Sequence, residues 1–139
     1  MANISNYLEE ALLNHVFRNT AYTMPGATLY VAIFPTTKDT AELEANDKTG
    51  EITAYDEATR PSVSFAAPSQ VGGKATIESS GGVEFTDMPE VNVGYAAIMD
   101  GDTKTEDNIL YWMPLTDSKQ TNAGDTFTFP EGDIVLDLD

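Results

Sequence analysis

Cysteine is absent from this chain of 139 residues, histidine occurs once, and only 7 residues are Lys or Arg. Without cysteine the chain has no disulfide, no thiolate metal site and no cysteine nucleophile. The cations stand singly, so the sequence has no basic stripe that attracts a nucleic-acid backbone. The 23 Asp and Glu residues give a formal net charge of −16, which repels phosphates. We therefore expect no nucleic-acid partner.

Long apolar runs are also missing. No segment approaches the roughly 20 apolar residues that span a bilayer, and the first residues lack the basic and apolar regions of a signal peptide. We expect no membrane partner, and synthesis and folding in a cytoplasm. Hydrophobic residues nevertheless make up 41% of the chain, too many for a disordered acidic tail. Length and composition predict one globular domain over residues 1–139.

Residues from about 5 to 17 have the spacing of an amphipathic helix. Apolar side chains recur every three or four positions, while Glu9 and Glu10 occupy the opposite side. Ser5 or Asn6 is suited to cap the first turn. Because so short a helix is marginal in isolation, we expect it to pack against the rest of the protein. The apolar stripe consists of Leu8, Leu12 and Val16, with Ala11 beside it.

From about residue 28 to 138 the pattern changes to short segments rich in β-branched and aromatic residues, separated by turn formers. This spacing predicts a mainly β fold, an antiparallel β-sandwich or small barrel of about 7–8 strands with one N-terminal amphipathic helix. The predicted strands are 28–34, 62–66, 74–78, 83–86, 95–99, 109–113, 126–129 and 134–138.

A long acidic loop, from about residue 36 to 60, interrupts this pattern. Its first part, residues 36–50, is polar and is longer than the ~12–15 residues usual for loops in compact domains. We expect the whole stretch 36–60 to lack core character, and a loop of this length is commonly functional or mobile. Within it, Thr40–Glu44 could form a helical turn and Glu51–Tyr55 an extra strand.

The sequence contains none of the motifs of common enzymes. It has no nucleophile elbow, no phosphate-binding glycine loop, no zinc-protease motif and no dinucleotide fingerprint. The single histidine, His15, lies beside the helical stripe and shows no positioned partner, so we interpret it as a packing or hydrogen-bonding residue. We predict no catalytic residue and no cofactor.

Four carboxylates fall within eight residues between two predicted strands, which makes a cation site one interpretation of this segment. The spacing is not that of an EF-hand, and Lys104 interrupts the cluster. A solvated hairpin loop is the interpretation that we favour. The candidate ligands are Asp100, Asp102, Glu106 and Asp107.

Tyr111 and Trp112 are adjacent in a predicted strand. They could form part of a platform on which a sugar stacks. We favour a second interpretation, in which one ring faces the core and the other an intersheet or intersubunit contact.

Several segments together resemble a known family. The chain opens with ISNYLEEALLNHVFRNTAY at residues 4–22, followed by the strand ATLYVAIF at 27–34. Its second half contains GYAAIMD at 94–100, NILYWMPL at 108–115 and NAGDTFTFPEG at 122–132. These segments resemble a widespread group of small bacteriophage virion proteins, usually described as tail-fibre-like. The resemblance covers nearly the whole chain, and residues 36–50 depart from it by being longer and more acidic.

The resemblance implies a non-enzymatic structural protein of the virion, either a capsid decoration (cement) protein or a component of the tail or its fibres. A receptor- or carbohydrate-binding module of the phage particle is the alternative. The implied partners are other phage structural proteins, and a homo-oligomer is expected, with a trimer favoured. We expect Leu8, Leu12, Tyr111 and Trp112 to contribute to such contacts.

The segment 133–139 alternates clearly, with Ile134, Leu136 and Leu138 on one face. Because this face is apolar, we expect the strand to be pinned to the core, and we predict that removal of residues 134–139 unfolds the domain. Thermal unfolding followed by circular dichroism checks this. A truncated protein that melts at the full-length temperature contradicts it.

Overall fold

The computed structural model describes residues 2–23 and 26–138. Within these residues ten strands and two helices follow one another along the chain. They are β1 (Asn3–Ile4), α1 (Asn6–Arg18), β2 (Leu29–Pro35), α2 (Thr40–Glu44), β3 (Ser62–Val63), β4 (Ser69–Val71), β5 (Lys74–Glu78), β6 (Val83–Met88), β7 (Val91–Met99), β8 (Ile109–Thr121), β9 (Asp125–Phe129) and β10 (Val135–Leu138).

The predicted fold class is confirmed: the protein is mainly β, its sheets are antiparallel, and an amphipathic helix lies at the N-terminal side. The described residues form more strands than the 7–8 expected, because β1 and β4 are too short to leave a pattern in the sequence. The strands form three separate sheets in a sandwich-like arrangement.

The central sheet has the order β1-β8-β7-β2-β3. Its middle is apolar on both faces, since Val31–Phe34 of β2 are all fully buried. A continuous apolar run of this kind is typical of a strand covered on both sides. In the register, Ala97 lies opposite both Ala32 and Trp112, so two small side chains lie beside the large indole ring across the sheet.

The main core lies between the central sheet and the two small sheets, β10-β5-β4 and β6-β9. Each sheet contributes large side chains, for example Ile98 from β7, Phe85 from β6 and Leu136 from β10. The predicted alternation near residue 136 holds for Ile134 and Leu136, which are buried, whereas Leu138 is 53% exposed.

The expectation that residues 36–60 lack core character is wrong. Thr40–Glu44 does form a helix, and Leu43 of that helix is fully buried in a second cluster on the outer face of the central sheet. Ile52 and Tyr55 pack into the main core. The extra strand expected at Glu51–Tyr55 is absent from this described segment, although the Ile52 amide donates to the Ile33 carbonyl at 2.9 Å.

Helix α1 is attached to the sheet through Ser5. The Ser5 hydroxyl accepts the Leu8 amide at 3.3 Å as the N-cap, and it donates to the carbonyl of Ile109. The Ser5 amide donates to the Leu110 carbonyl at 3.0 Å. Ser5 is fully buried, so the base of the helix is fixed against the start of β8. No helix in residues 2–23 and 26–138 has the length and apolar character needed to cross a bilayer.

Strands β7 and β8 extend beyond the predicted segments, and β8 bulges between Pro114 and Lys119. Opposite the bulge, Gly94 of β7 lies against the backbone of Thr36. A Cβ at Gly94 would lie 2.7 Å from the Thr36 Cα, which is closer than side chains pack. Only glycine fits at this position without moving the backbone.

We predict that Gly94→Ala lowers the free energy of unfolding by about 1–3 kcal/mol, as overpacking does. The matched control is Gly81→Ala, because a Cβ at Gly81 meets open space, and we expect it to change the free energy by less than about 0.5 kcal/mol. Denaturant unfolding measures both. Equal stability of the two variants would show that Thr36 can move away at no cost.

Candidate functional site

The four carboxylates of the segment 100–107 do not converge on a point. Asp100 accepts the Asn108 amide at 2.7 Å and the Asn108 side chain at 2.8 Å. Asp107 accepts the Thr103 amide at 3.0 Å. Among the described residues, no group of three or more His, Cys, Asp or Glu side chains could hold a metal ion. The carboxylates of Asp100 and Asp107 instead shape the loop itself.

Arg60 is the residue that organises this loop. Its guanidinium is fully buried and forms a bidentate ion pair with Glu51, with Nε–Oε1 and Nη2–Oε2 distances of 2.8 Å. Nη1 donates to the Gly101 carbonyl at 2.9 Å and to Asp107 at 3.3 Å, and Nη2 donates to the Glu106 carbonyl at 2.9 Å. Each of the five N–H groups of an arginine can therefore be assigned an acceptor.

Lys104 joins the same two segments a few residues away. Its ammonium donates to the Thr53 carbonyl at 2.9 Å and to the Glu57 carbonyl, and it lies 3.8 Å from the centre of the Tyr55 ring. Burial lowers the pKa of Lys104 against the opposing effect of nearby carboxylates. Burial also raises the pKa of the Tyr55 hydroxyl, which has no hydrogen-bond partner among the described residues.

Sequence reasoning missed the Arg60 cluster, defined here as Arg60, Glu51, Lys104 and the loop 101–107. The sequence pattern shows the cations only as single residues, with Lys104 interrupting the carboxylate cluster. The local pattern contains no signal for it, because Glu51 and Arg60 are 9 residues apart and Asp107 is 47 residues from Arg60. The loop is therefore anchored to a buried cation, whereas a simple solvated hairpin was the favoured interpretation.

Tyr111 and Trp112 lie on opposite faces of β8. Tyr111 packs against the main core, and its hydroxyl donates to the Asp137 carbonyl at 3.2 Å. Trp112 packs in the outer cluster, with its ring centre 6.4 Å from that of Tyr95, and its indole N–H donates to Glu44 at 2.6 Å. Because the two rings lie on opposite faces and each is half-buried within its own chain, they do not form a common stacking platform.

The predicted helical stripe is only half covered. Leu8 and Leu12 are half-buried near β8, whereas Val16 is 64% exposed. Within α1, which the structure describes completely, no residue is buried. His15 is exposed, and its Nδ1 lies 3.2 Å from the Thr20 carbonyl oxygen, so its interpretation as a hydrogen-bonding residue fits while that as a packing residue does not.

The comparison with protein families identifies the chain. A family model described as "Podophage GP4 fiber I protein gp80" matches residues 3–137. The chain belongs to this family. The resemblance to tail-fibre-like phage proteins is thereby confirmed, and this phage fibre family makes the chain a structural protein of the phage virion that associates with other phage structural proteins. A structural fibre family also points away from catalysis. No curated protein sequence matches the chain.

We predict that Arg60→Met lowers the free energy of unfolding by about 3–5 kcal/mol, because it leaves the Glu51 carboxylate buried without its partner. Arg60→Met combined with Glu51→Leu should recover much of this loss. The control is Lys119→Met on the exposed part of β8, which should change the free energy by less than about 0.5 kcal/mol.

Denaturant unfolding gives the energies, and amide hydrogen exchange of residues 101–107 reports on the loop. For Arg60→Met we expect the exchange rate, relative to the wild-type protein, to increase more in this loop than in β2. A variant with wild-type stability and wild-type exchange would show that the cluster is not what holds the loop.

Proposed function

We propose that this chain is a small non-enzymatic subunit of the phage tail, located on or beside a fibre, and that it works as a homo-oligomer. The observation that carries the proposal is the match of a fibre-protein family over residues 3–137. A match of this extent includes the helix, the three sheets and the Arg60 cluster. We therefore assign the proposed function to the whole fold and not to a single motif.

The geometry supports a structural role in an assembly. The segments 51–60 and 101–107 are irregular in structure. Arg60, which forms a buried ion pair with Glu51 inside the first segment, donates to the Gly101 carbonyl of the second, and Lys104 donates back to the Thr53 carbonyl. Loops tied in this way keep one shape, which repeated contacts in an assembly require. Weak individual contacts then add up through multivalency.

The charge supports the same role. A body with a net charge of −16 repels its own copies and other acidic surfaces, so it stays dispersed until specific contacts form. We propose that these contacts are made by apolar side chains of α1 and of the strand with Tyr111 and Trp112, with a trimer as the favoured oligomer.

The copy number per particle tests the location. Quantitative mass spectrometry of purified virions, combined with antibody labelling in electron micrographs, should show a few copies set by the tail symmetry, with label on the tail. Hundreds of copies per particle, with label over the capsid shell, would contradict the tail location and indicate capsid decoration. Binding to defined sugars on a glycan array would favour the receptor-binding alternative.

A further inference from the structure

Strand β9 has one edge that no other strand covers. Within the described residues it pairs with β6 alone, and the two strands form a sheet of their own. An unpaired edge displays a row of backbone N–H and C=O groups, which makes it a template for a further strand. The chemistry of this surface is therefore set by the backbone of β9.

The direction of these backbone groups follows from the neighbouring strand. The Thr86 amide of β6 donates to the Glu57 carboxylate at 3.1 Å, and the Thr86 carbonyl accepts the Asp56 amide at 2.9 Å. Both groups of Thr86 thus point away from β9. Since successive residues of a strand direct their backbone groups to alternate sides, those of Phe85 point toward β9, where Phe85 lies opposite Phe127.

The same alternation leaves two threonines of β9 facing outward. Phe127 and Phe129 direct their backbone groups toward β6, so Thr126 and Thr128 direct theirs to the open side. Both threonines are exposed, and no turn or loop in the described part of the chain supplies a backbone partner to either. The Thr126 carbonyl and the N–H and C=O of Thr128 are therefore open to a partner strand.

The other edges of the described sheets are short or are covered at one point by other groups. Strands β1 and β3 have two residues and β4 has three. On β6, Glu57 and Asp56 take the place of a neighbouring strand at Thr86, and on β10 the Tyr111 hydroxyl donates to the Asp137 carbonyl at 3.2 Å. Proteins manage their edges by such means to prevent unwanted pairing. Strand β9 differs, because its five residues, DTFTF, favour strand pairing and leave the edge open.

The open edge forms one wall of a cleft, called here the strand cleft. The cleft has a volume of about 340 Å³, and its opposite wall is the bulged part of β8. Residues 115–118 of that bulge have no partner in β7, because the pairing passes from Pro114 to Lys119. A lone extended segment, with both of its own edges free, fits between two such stretches better than the edge of a finished sheet does.

Charge favours another protein over a second copy as the source of this segment. A second copy carries the same net charge of −16. Asp117 and Asp133 line the strand cleft and form no ion pair within the described residues, whereas Lys119 is the one cation of the lining. Such a surface attracts a basic segment and repels an acidic one.

We propose that the strand cleft binds a basic, extended segment of another phage structural protein, which joins β9 as a third strand of the β6-β9 sheet. Backbone hydrogen bonds to Thr126 and Thr128 give this contact its affinity, and alternate side chains of the segment contact the apolar lining at Leu115 and Phe127. The inference goes beyond the proposed homo-oligomer, because it names a surface for a different protein.

A proline at position 128 tests the backbone contact. Proline has no N–H, and edge strands accept it where that N–H faces outward, so Thr128→Pro should leave the pairing with β6 intact. Phage carrying Thr128→Pro should incorporate about tenfold less of this protein than wild-type phage, since the outward hydrogen bond is lost and the ring blocks the incoming strand. Thr128→Val is the matched control, because it keeps both the N–H and the β-branched shape, and it should incorporate normally.

Quantitative mass spectrometry of purified virions measures the incorporation, and circular dichroism of the isolated proteins checks the folding. Normal incorporation of a folded Thr128→Pro protein would overturn the proposal. Equal loss with Thr128→Val would also overturn it, because that variant retains the backbone donor.

Amide hydrogen exchange of the wild-type chain decides the question even if Thr128→Pro does not fold. In the isolated protein the outward Thr128 amide should exchange faster than the Phe127 and Phe129 amides. In purified virions it should exchange about tenfold more slowly than in the isolated protein, as expected for a new backbone hydrogen bond.

Two exchange results contradict the proposal. Equal exchange of the Thr128 amide in virions and in the isolated protein would show that no strand joins β9. Protection that appears in the isolated protein as its concentration is raised would assign the edge to a second copy. Neither result depends on whether the chain lies on the tail or the capsid, so this test is independent of the location experiment.

Discussion

The buried pair of Arg60 and Glu51 fixes the relation between two segments that have little regular structure. Both side chains are fully removed from water, which costs several kcal/mol unless every polar group finds a partner. The Gly101 and Glu106 carbonyls accept two further N–H groups of Arg60. The Thr105 amide donates to the Glu51 carboxylate at 2.7 Å. The ion pair lies in segment 51–60, whereas these three partner groups lie in segment 101–107, so segment 51–60 cannot satisfy the pair alone. The ion pair and its partners therefore join the two loops into a single unit, which also contributes the buried side chains of Ile52 and Tyr55 to the main core.

Much of the β fold was predictable because strands leave a local pattern. The run around Val31–Phe34 and the alternation that places Tyr111 and Trp112 on opposite faces both follow from side-chain spacing. The helical turn at Thr40–Glu44 was also predictable, since Asp39 is a good N-cap and accepts the Ala41 amide at 2.9 Å. These features depend on residues within one element.

The candidate site was less predictable because it depends on distant partners. The burial of Leu43, Ile52 and Tyr55 in an acidic segment follows from contacts with strands and cations far along the chain, such as Lys104. The helical stripe shows a second limit of prediction from sequence. Its spacing correctly placed α1, but spacing cannot tell how much of a helix its own chain covers, and Val16 remains exposed. Sequence patterns thus describe elements better than the surfaces between them.

Ser5 has a mechanical consequence for the attachment of helix α1. On its N-terminal side, α1 is joined to the central sheet through Ser5 and the two residues of β1, Asn3 and Ile4, which pair with Trp112 and Tyr111. This narrow joint concentrates tension at the edge of the central sheet. Strand β8 lies next to the edge strand β1 and pairs on its other side with β7. A force applied at the N-terminal end of α1 would therefore pass through this joint to β8 and on to β7, the middle strand of the central sheet.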